Sequence, residues 1–147
     1  MLGSRRDPLL AHRFLVECEG LLVAGFQEVS GLELSLEVEE VVEGGVNELV
    51  HRLPKGVKAG TLVLRRGICR AELWEWFDRI RRALSFQGPL EVRTLYLVML
   101  DEGGQEALRL AVTGAYPVKW TGPELKADQS GVALESLELV YTGVERV

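Results

Sequence analysis

The spacing of apolar and polar positions changes character several times along the chain. "RFLVEC" at 13–18 alternates loosely and leads into "EGLLVAGF", so two strands joined by a turn at Glu19-Gly20 are predicted. After Ser30-Gly31 the alternation is strict. Leu32, Leu34, Leu36 and Val38 interleave with Glu33, Ser35, Glu37 and Glu39, and a period of two sets the leucines on one face and the acids on the other. One dry face and one negative face are expected. Past Glu40 the pattern loosens into "GGVNELVHRLPKGVKAG", a long basic stretch punctuated by glycines, before "GTLVLRRG" at 60–67 reads as a strand closed by Gly67.

From Ala71 the period lengthens. Leu73, Trp74, Trp76, Phe77, Ile80, Ala83 and Leu84 follow the spacing of an amphipathic helix, which Gly88-Pro89 ends because proline has no amide hydrogen to continue it. Trp74, Phe77, Ile80 and Leu84 are expected to pack onto a sheet, with Leu73, Trp76 and Ala83 widening the stripe; an exposed Trp76 would mark a contact with another subunit. "LEVRTLYLVMLD" and "QEALRLAVTGAYPVKW" flank the turn-forming Asp101–Gly104 as a hairpin, and "VALESLELVYTG" supplies a last strand. Its Leu137, Leu139 and Tyr141 share one face and Val132, Leu134 and Val140 the other, the pattern of a strand covered on both sides.

Composition narrows the function. The 147 residues carry a net charge of -5, which argues against free binding to nucleic acid, whose affinity rests on cations placed against phosphates. No apolar run approaches the roughly 20 residues of a membrane helix, and "MLGSRRDPLLAHRF" lacks the apolar core of a signal peptide, so synthesis in the cytoplasm and no membrane anchoring are expected. Cys18 and Cys69 show no C-x-x-C spacing and read as buried thiols. His12 and His51, the two histidines, have no partner pattern for acid–base work, and no nucleophile, zinc, phosphate or dinucleotide motif is present. No catalytic residue, metal or cofactor is expected. The acids Glu33, Glu37, Glu39, Glu40 and Glu43 spread along a strand rather than a compact metal loop, so they form a solvated face or line a passage or interface.

Several segments together resemble a known family. "GGVNELVHRLPKGVKAGTLVLRRG" resembles the G-G-x-N, L-P, K-x-G and R-G signature of the tail tube proteins of contractile phage tails and related contractile injection systems. "ELWEWF" resembles that family's helix, "DPLLAHRFLVECEGLLVAGFQEVSGL" its opening, and "AYPVKWTGPELKADQSGVALESLELVYTGVER" its C-terminal signature, so the likeness runs from Asp7 to Arg146. Cys69 and Arg70 depart from it, standing where a helix-capping Ser, Thr or Asp is common.

The resemblance implies one domain over residues 1–147, mainly β with one long helix (α+β), in which two packed antiparallel sheets form a barrel-like unit with an extended hairpin or loop at about 40–60. It implies a non-enzymatic structural subunit, forming homo-oligomeric hexameric rings that stack into a hollow inner tube. The partners implied are sheath and baseplate proteins, with cargo protein or DNA in the lumen of a tail or injection particle. Inter-subunit or stacking contacts are expected at Gly44, Gly45, Asn47, Arg52, Pro54, Lys55, Lys58 and Trp76. Lumen or interface acids are expected at Glu33, Glu37 and Glu39, with Glu135 and Glu138 as further candidates. Opposite charges on the two halves of the hairpin would join neighbouring protomers. Two alternatives stay open: a baseplate tube initiator of the same family, and a monomeric β-barrel binding module with a defined pocket.

Overall fold

The computed structural model describes residues 12–45, 49–125, 127 and 133–147. Along the chain run β1 (Phe14–Cys18), β2 (Leu21–Ser30), β3 (Leu34–Glu43), β4 (Leu49–Ala59), β5 (Thr61–Cys69), α1 (Ala71–Phe86), β6 (Arg93–Leu100), β7 (Glu106–Thr121), β8 (Glu135–Val140) and β9 (Gly143–Arg146). Hydrogen-bonded neighbours follow the order β6-β1-β2-β5-β8-β7-β9, and β6 pairs with β7 as well, so this antiparallel sheet closes on itself as a ring. The long β7 makes closure possible: its first half lies between β6 and β9, and its second half turns to β8. β3 and β4 form a separate two-stranded sheet. The mainly-β class with one helix and two antiparallel sheets is the one expected. The larger sheet, with α1 over one end, encloses the core, while the smaller stands out from it as a hairpin arm.

Local chemistry explains the connections. Glu19 and Gly20 both adopt positive φ, 54° and 78°, which a two-residue hairpin matching the strand twist requires. At the β6–β7 turn, Asp101 accepts bonds from the Gly103 and Gln105 amides at 2.9 Å each. Gly67 does not close its strand; β5 continues to Cys69. Its role is close approach, since a Cβ there would lie 2.2 Å from both the Gly25 carbonyl oxygen and the Phe26 ring.

The walls of the ring bury Val16, Phe26, Leu64, Leu97, Val112 and Leu139 against one another, and Leu73 and Trp76 of α1 join the same cluster. The helix starts at Arg70 with no side-chain cap bond and stops at Gln87, in the left-handed conformation, where Gly88 donates to the Ala83 carbonyl at 3.0 Å. Strand register fixes two ends. Ala24 pairs with Cys69 at the end α1 covers, and Ser30 pairs with Val63 at the end from which the arm departs. On β8, Leu137 and Leu139 are buried while Ser136, Glu138 and Val140 are half-buried, so the last strand is covered more on its inner face than its outer.

Candidate assembly surface

The arm carries most of the residues singled out from the sequence. β3 pairs with β4 from Leu34↔Ala59 to Glu43↔Leu49, and the register slips where Glu37 faces Gly56 and Val38 faces Pro54, leaving Lys55 as the extra residue of a bulge. Directly paired residues share a face. Leu34, Leu36, Val38 and Val42 therefore lie with Ala59, Val57, Pro54 and Val50 on one side, interrupted by Glu40 opposite Arg52. Glu37, Glu39 and Glu43 lie on the other with Lys58, Leu53 and His51.

The alternation of leucines and acids is as expected, but the dry face is not dry within the protomer. Every residue of β3 is exposed, Leu36 at 62%, and its partner Val57 at 61%. A two-stranded ribbon has no third layer of its own to cover it. Glu40 opposes Arg52 across the arm, and His51 Nε2 lies 3.5 Å from Glu43 Oε2. Gly44 and Gly45 follow β3 at the tip, and Asn47 falls outside the described residues.

The root of the arm is fixed by a residue that sequence reasoning placed only in the core. Tyr141 donates its hydroxyl to the Gly31 carbonyl at 2.6 Å and accepts from the Glu33 amide at 2.9 Å. The Gly60 amide closes the base by bonding the Glu33 carbonyl at 3.0 Å. Gly31 has φ +83°, and a Cβ there would lie 1.7 Å from the Thr61 carbonyl oxygen, so glycine is required. The signal was available: a tyrosine on an apolar strand face needs a partner for its hydroxyl. Glu33 thus holds the root through its backbone.

At the other end of the barrel, Trp76 is 1% exposed; its Nε1 donates to the Glu91 carbonyl at 2.8 Å and the Arg93 guanidinium lies 5.4 Å above its ring. Trp76 is therefore a core residue of the protomer, not a contact surface. The outward tryptophan is Trp74, 41% exposed and edge-on to Trp120 with centroids 4.9 Å apart. Leu84, expected against the sheet, is 77% exposed. The buried stripe runs through 73, 76 and 80, one step round the helix from the stripe expected.

Glu135 ties this end together, accepting from the Cys69 amide at 2.9 Å and from Trp120 Nε1 at 2.7 Å. Burial, with the Glu135 carboxylate beside it, pushes the Cys69 thiol far above its ordinary range, so the sulfur stays protonated. Glu138 pairs with Lys119 at 3.4 Å. Among the described residues no three His, Cys, Asp or Glu side chains group closely enough to hold a metal, and no helix is long and apolar enough to cross a membrane.

Residues 10–145 match the family model described as T4-like virus tail tube protein gp19. The chain belongs to this tail tube family. Among solved structures, this tail tube protein is similar to a chain of the anti-feeding prophage (AFP) baseplate, 6-fold symmetrised. The two are 29% identical over 100% of this chain and 97% of that one, with a TM-score of 0.64. It shares its fold with a chain of the extracellular contractile injection system PVC sheath-tube complex in the extended state, at 22% identity over 92% and 88% of the two chains and a TM-score of 0.67. The anti-feeding prophage cap gives 21% identity over 100% and 95%, with a TM-score of 0.67. No curated protein sequence matches.

Proposed function

We propose that this tail tube protein is the subunit of the hollow inner tube of a contractile injection particle or phage tail, built as hexameric rings that stack. The observation that carries this reading is the arm: a regular β-ribbon, held at its root by Tyr141, whose apolar face has no cover in its own protomer. Exposed contiguous apolar surface marks an interaction site, and burying it stabilises assembly by about 25 cal/mol per Å². Gly44, Gly45, Arg52, Pro54, Lys55 and Lys58 then serve the inter-subunit contact as parts of that ribbon. Glu37 and Glu39, on the ribbon face opposite the apolar one, and Glu33 at the root line the lumen or an interface rather than a catalytic site.

The role is mechanical. Contraction of an outer sheath supplies the work, and the hydrogen-bonded ring of each barrel, closed by the β6–β7 pairing, transmits it. Sheath and baseplate proteins are the partners, and cargo protein or DNA occupies the lumen. The subunit is made in the cytoplasm and then becomes part of the particle. One comparison favours a second role, a tube initiator in the baseplate: identity is 29% to the chain from the baseplate structure against 22% to that from the sheath-tube complex.

Negative-stain electron microscopy of the purified chain, with light scattering over a concentration series, separates the two. Tubes of uniform width are expected for the tube subunit. Rings that never extend favour the initiator, and a monomer at every concentration overturns both readings.

A further inference from the structure

The two ends of the barrel are filled differently. At one, Leu73 and Trp76 of α1 reach into the core. At the other, from which the arm departs, the strands enclose a cavity of about 160 Å³. Phe14 of β1, Leu97 and Met99 of β6, and Leu108 and Leu110 of β7 wall it, and Val29 of β2 and Leu32 beside the arm's root complete the lining. The strands involved, β7, β6, β1 and β2, are successive neighbours in the ring, so ladder hydrogen bonds fix the wall. Of these side chains Leu32 alone is exposed, at 40%, which places it at the mouth.

We infer that this cavity is a binding site for a small uncharged apolar molecule about the size of one aromatic ring. The size fits, since apolar cavities of about 150 Å³ take up benzene. The lining sets the class of guest. Every side chain in it is apolar, and a water molecule needs roughly two to four polar partners to settle, so the cavity is dry and a guest enters without displacing ordered water. A charged or strongly polar guest would give up its hydration and gain no hydrogen bond in return. Phe14 and Met99 are direct partners across β1 and β6, and together they offer a ring and a polarisable sulfur to the flat face or edge of an aromatic guest. A preformed apolar pocket in the mouth of a β-barrel is a common place for such a ligand. The site lies within one protomer and does not depend on the tube reading. It also touches the arm: Leu32 stands between Gly31 and Glu33, the two residues that Tyr141 holds, so a guest packed on Leu32 steadies the root.

Toluene is the probe, added to the full chain at a concentration too low for assembly. Its binding is expected to raise Tm by roughly 5 °C at ten times Kd. In methyl-resolved NMR the signals of Val29, Leu97, Leu108 and Leu110 are expected to shift while those of Leu73 and Leu95 at the α1 end stay in place. Phenol, of similar shape, is expected to bind about 10-fold more weakly, because its hydroxyl finds no partner. Leu108→Trp puts an indole into the space and is expected to abolish both responses; should that variant not fold, the methyl map of the unmodified chain decides the question by itself. An unchanged Tm with no methyl shifts would overturn the site, as would shifts spread evenly over both ends or phenol bound as tightly as toluene. Toluene binding that vanishes once the chain assembles would assign the cavity to a side chain of a second copy and overturn the small-molecule reading. Slower hydrogen exchange at the Glu33 and Gly60 amides is expected on saturation, and unchanged exchange there would overturn the link to the arm while leaving the site.

Discussion

Leu62 and Leu64 of β5 are 2% and 0% exposed, whereas Leu34 and Leu36 of β3, just as regularly spaced, are 46% and 62% exposed. Both pairs sit in antiparallel ladders of good register. The difference lies in what stands opposite. β5 is flanked by β2 and β8 in a sheet that curves round to face itself, so its inner side chains meet those of the far wall. β3 has one partner and no wall. Alternation specifies that a strand has a face to bury; only closure of the sheet, or the arrival of another chain, specifies what buries it.

The strongest way to test that contrast is to remove one large side chain from each region. Trp76→Ala is expected to lower the stability of the unassembled protomer by about 3–5 kcal/mol, because the ring fills the α1 end of the core and its removal leaves a cavity and an unpaired Glu91 carbonyl. Leu36→Ala on the arm is expected to change it by no more than about 0.5 kcal/mol. Urea unfolding read by fluorescence compares the two at a concentration too low for assembly. A Leu36→Ala loss approaching that of Trp76→Ala would mean that the arm packs on its own barrel.

How far the sequence discloses this contrast depends on whether a feature is local. The Glu19-Gly20 turn, the Asp101–Gly104 turn and the stop at Gly88-Pro89 are local, each set by backbone preferences of a few residues, and each stands where expected. The order of acids and leucines on β3 is equally local and equally legible. Closure of the ring by the β6–β7 pairing and the division of β7 between β9 and β8 are not, because they depend on tilt and register summed round the sheet. The helix shows the intermediate case. Its apolar period is plain, but Trp74, Trp76, Phe77 and Leu84 make the stripe wide enough to roll, and the bond from Trp76 to the Glu91 carbonyl decides which edge turns inward. Tyr141 escaped as a clamp for the same reason: its partners lie 110 and 108 residues away.

The junction between the two regions predicts a smaller effect. Tyr141→Phe keeps the ring in the core but removes the hydroxyl that bonds Gly31 and Glu33, at an expected cost of about 1–3 kcal/mol. Hydrogen exchange sharpens the comparison. The amides of Glu33 and Gly60 are expected to lose protection while those of Val16, Leu64 and Val112 in the barrel keep theirs. Uniform loss across both sets would show that the hydroxyl supports the barrel rather than the arm's root.

The smallest expected effect is a pH dependence confined to the barrel. Its hydrogen bond with Arg79, and then the nearby Arg93, hold the Glu91 carboxyl below the usual glutamate range, and the bond from Arg109 does the same for Glu106. A carboxyl whose pKa is lower folded than unfolded stabilises the fold above the unfolded value, about 4.3, and loses that contribution as the pH falls through the folded value. Both pairs are exposed to solvent, so the loss is small and weaker still in high salt. Thermal melts of the protomer from pH 7 to pH 3 are expected to decline below about pH 4.3. Arg109→Gln and Arg79→Gln are each expected to flatten that decline. Arg109 also binds Glu17 of β1 at 2.9 Å, tying three strands of the ring across β1, β6 and β7, so its variant is the more sensitive of the two. A decline unchanged by both substitutions would place the acid sensitivity outside these pairs, leaving the ring held by its apolar core and its ladders.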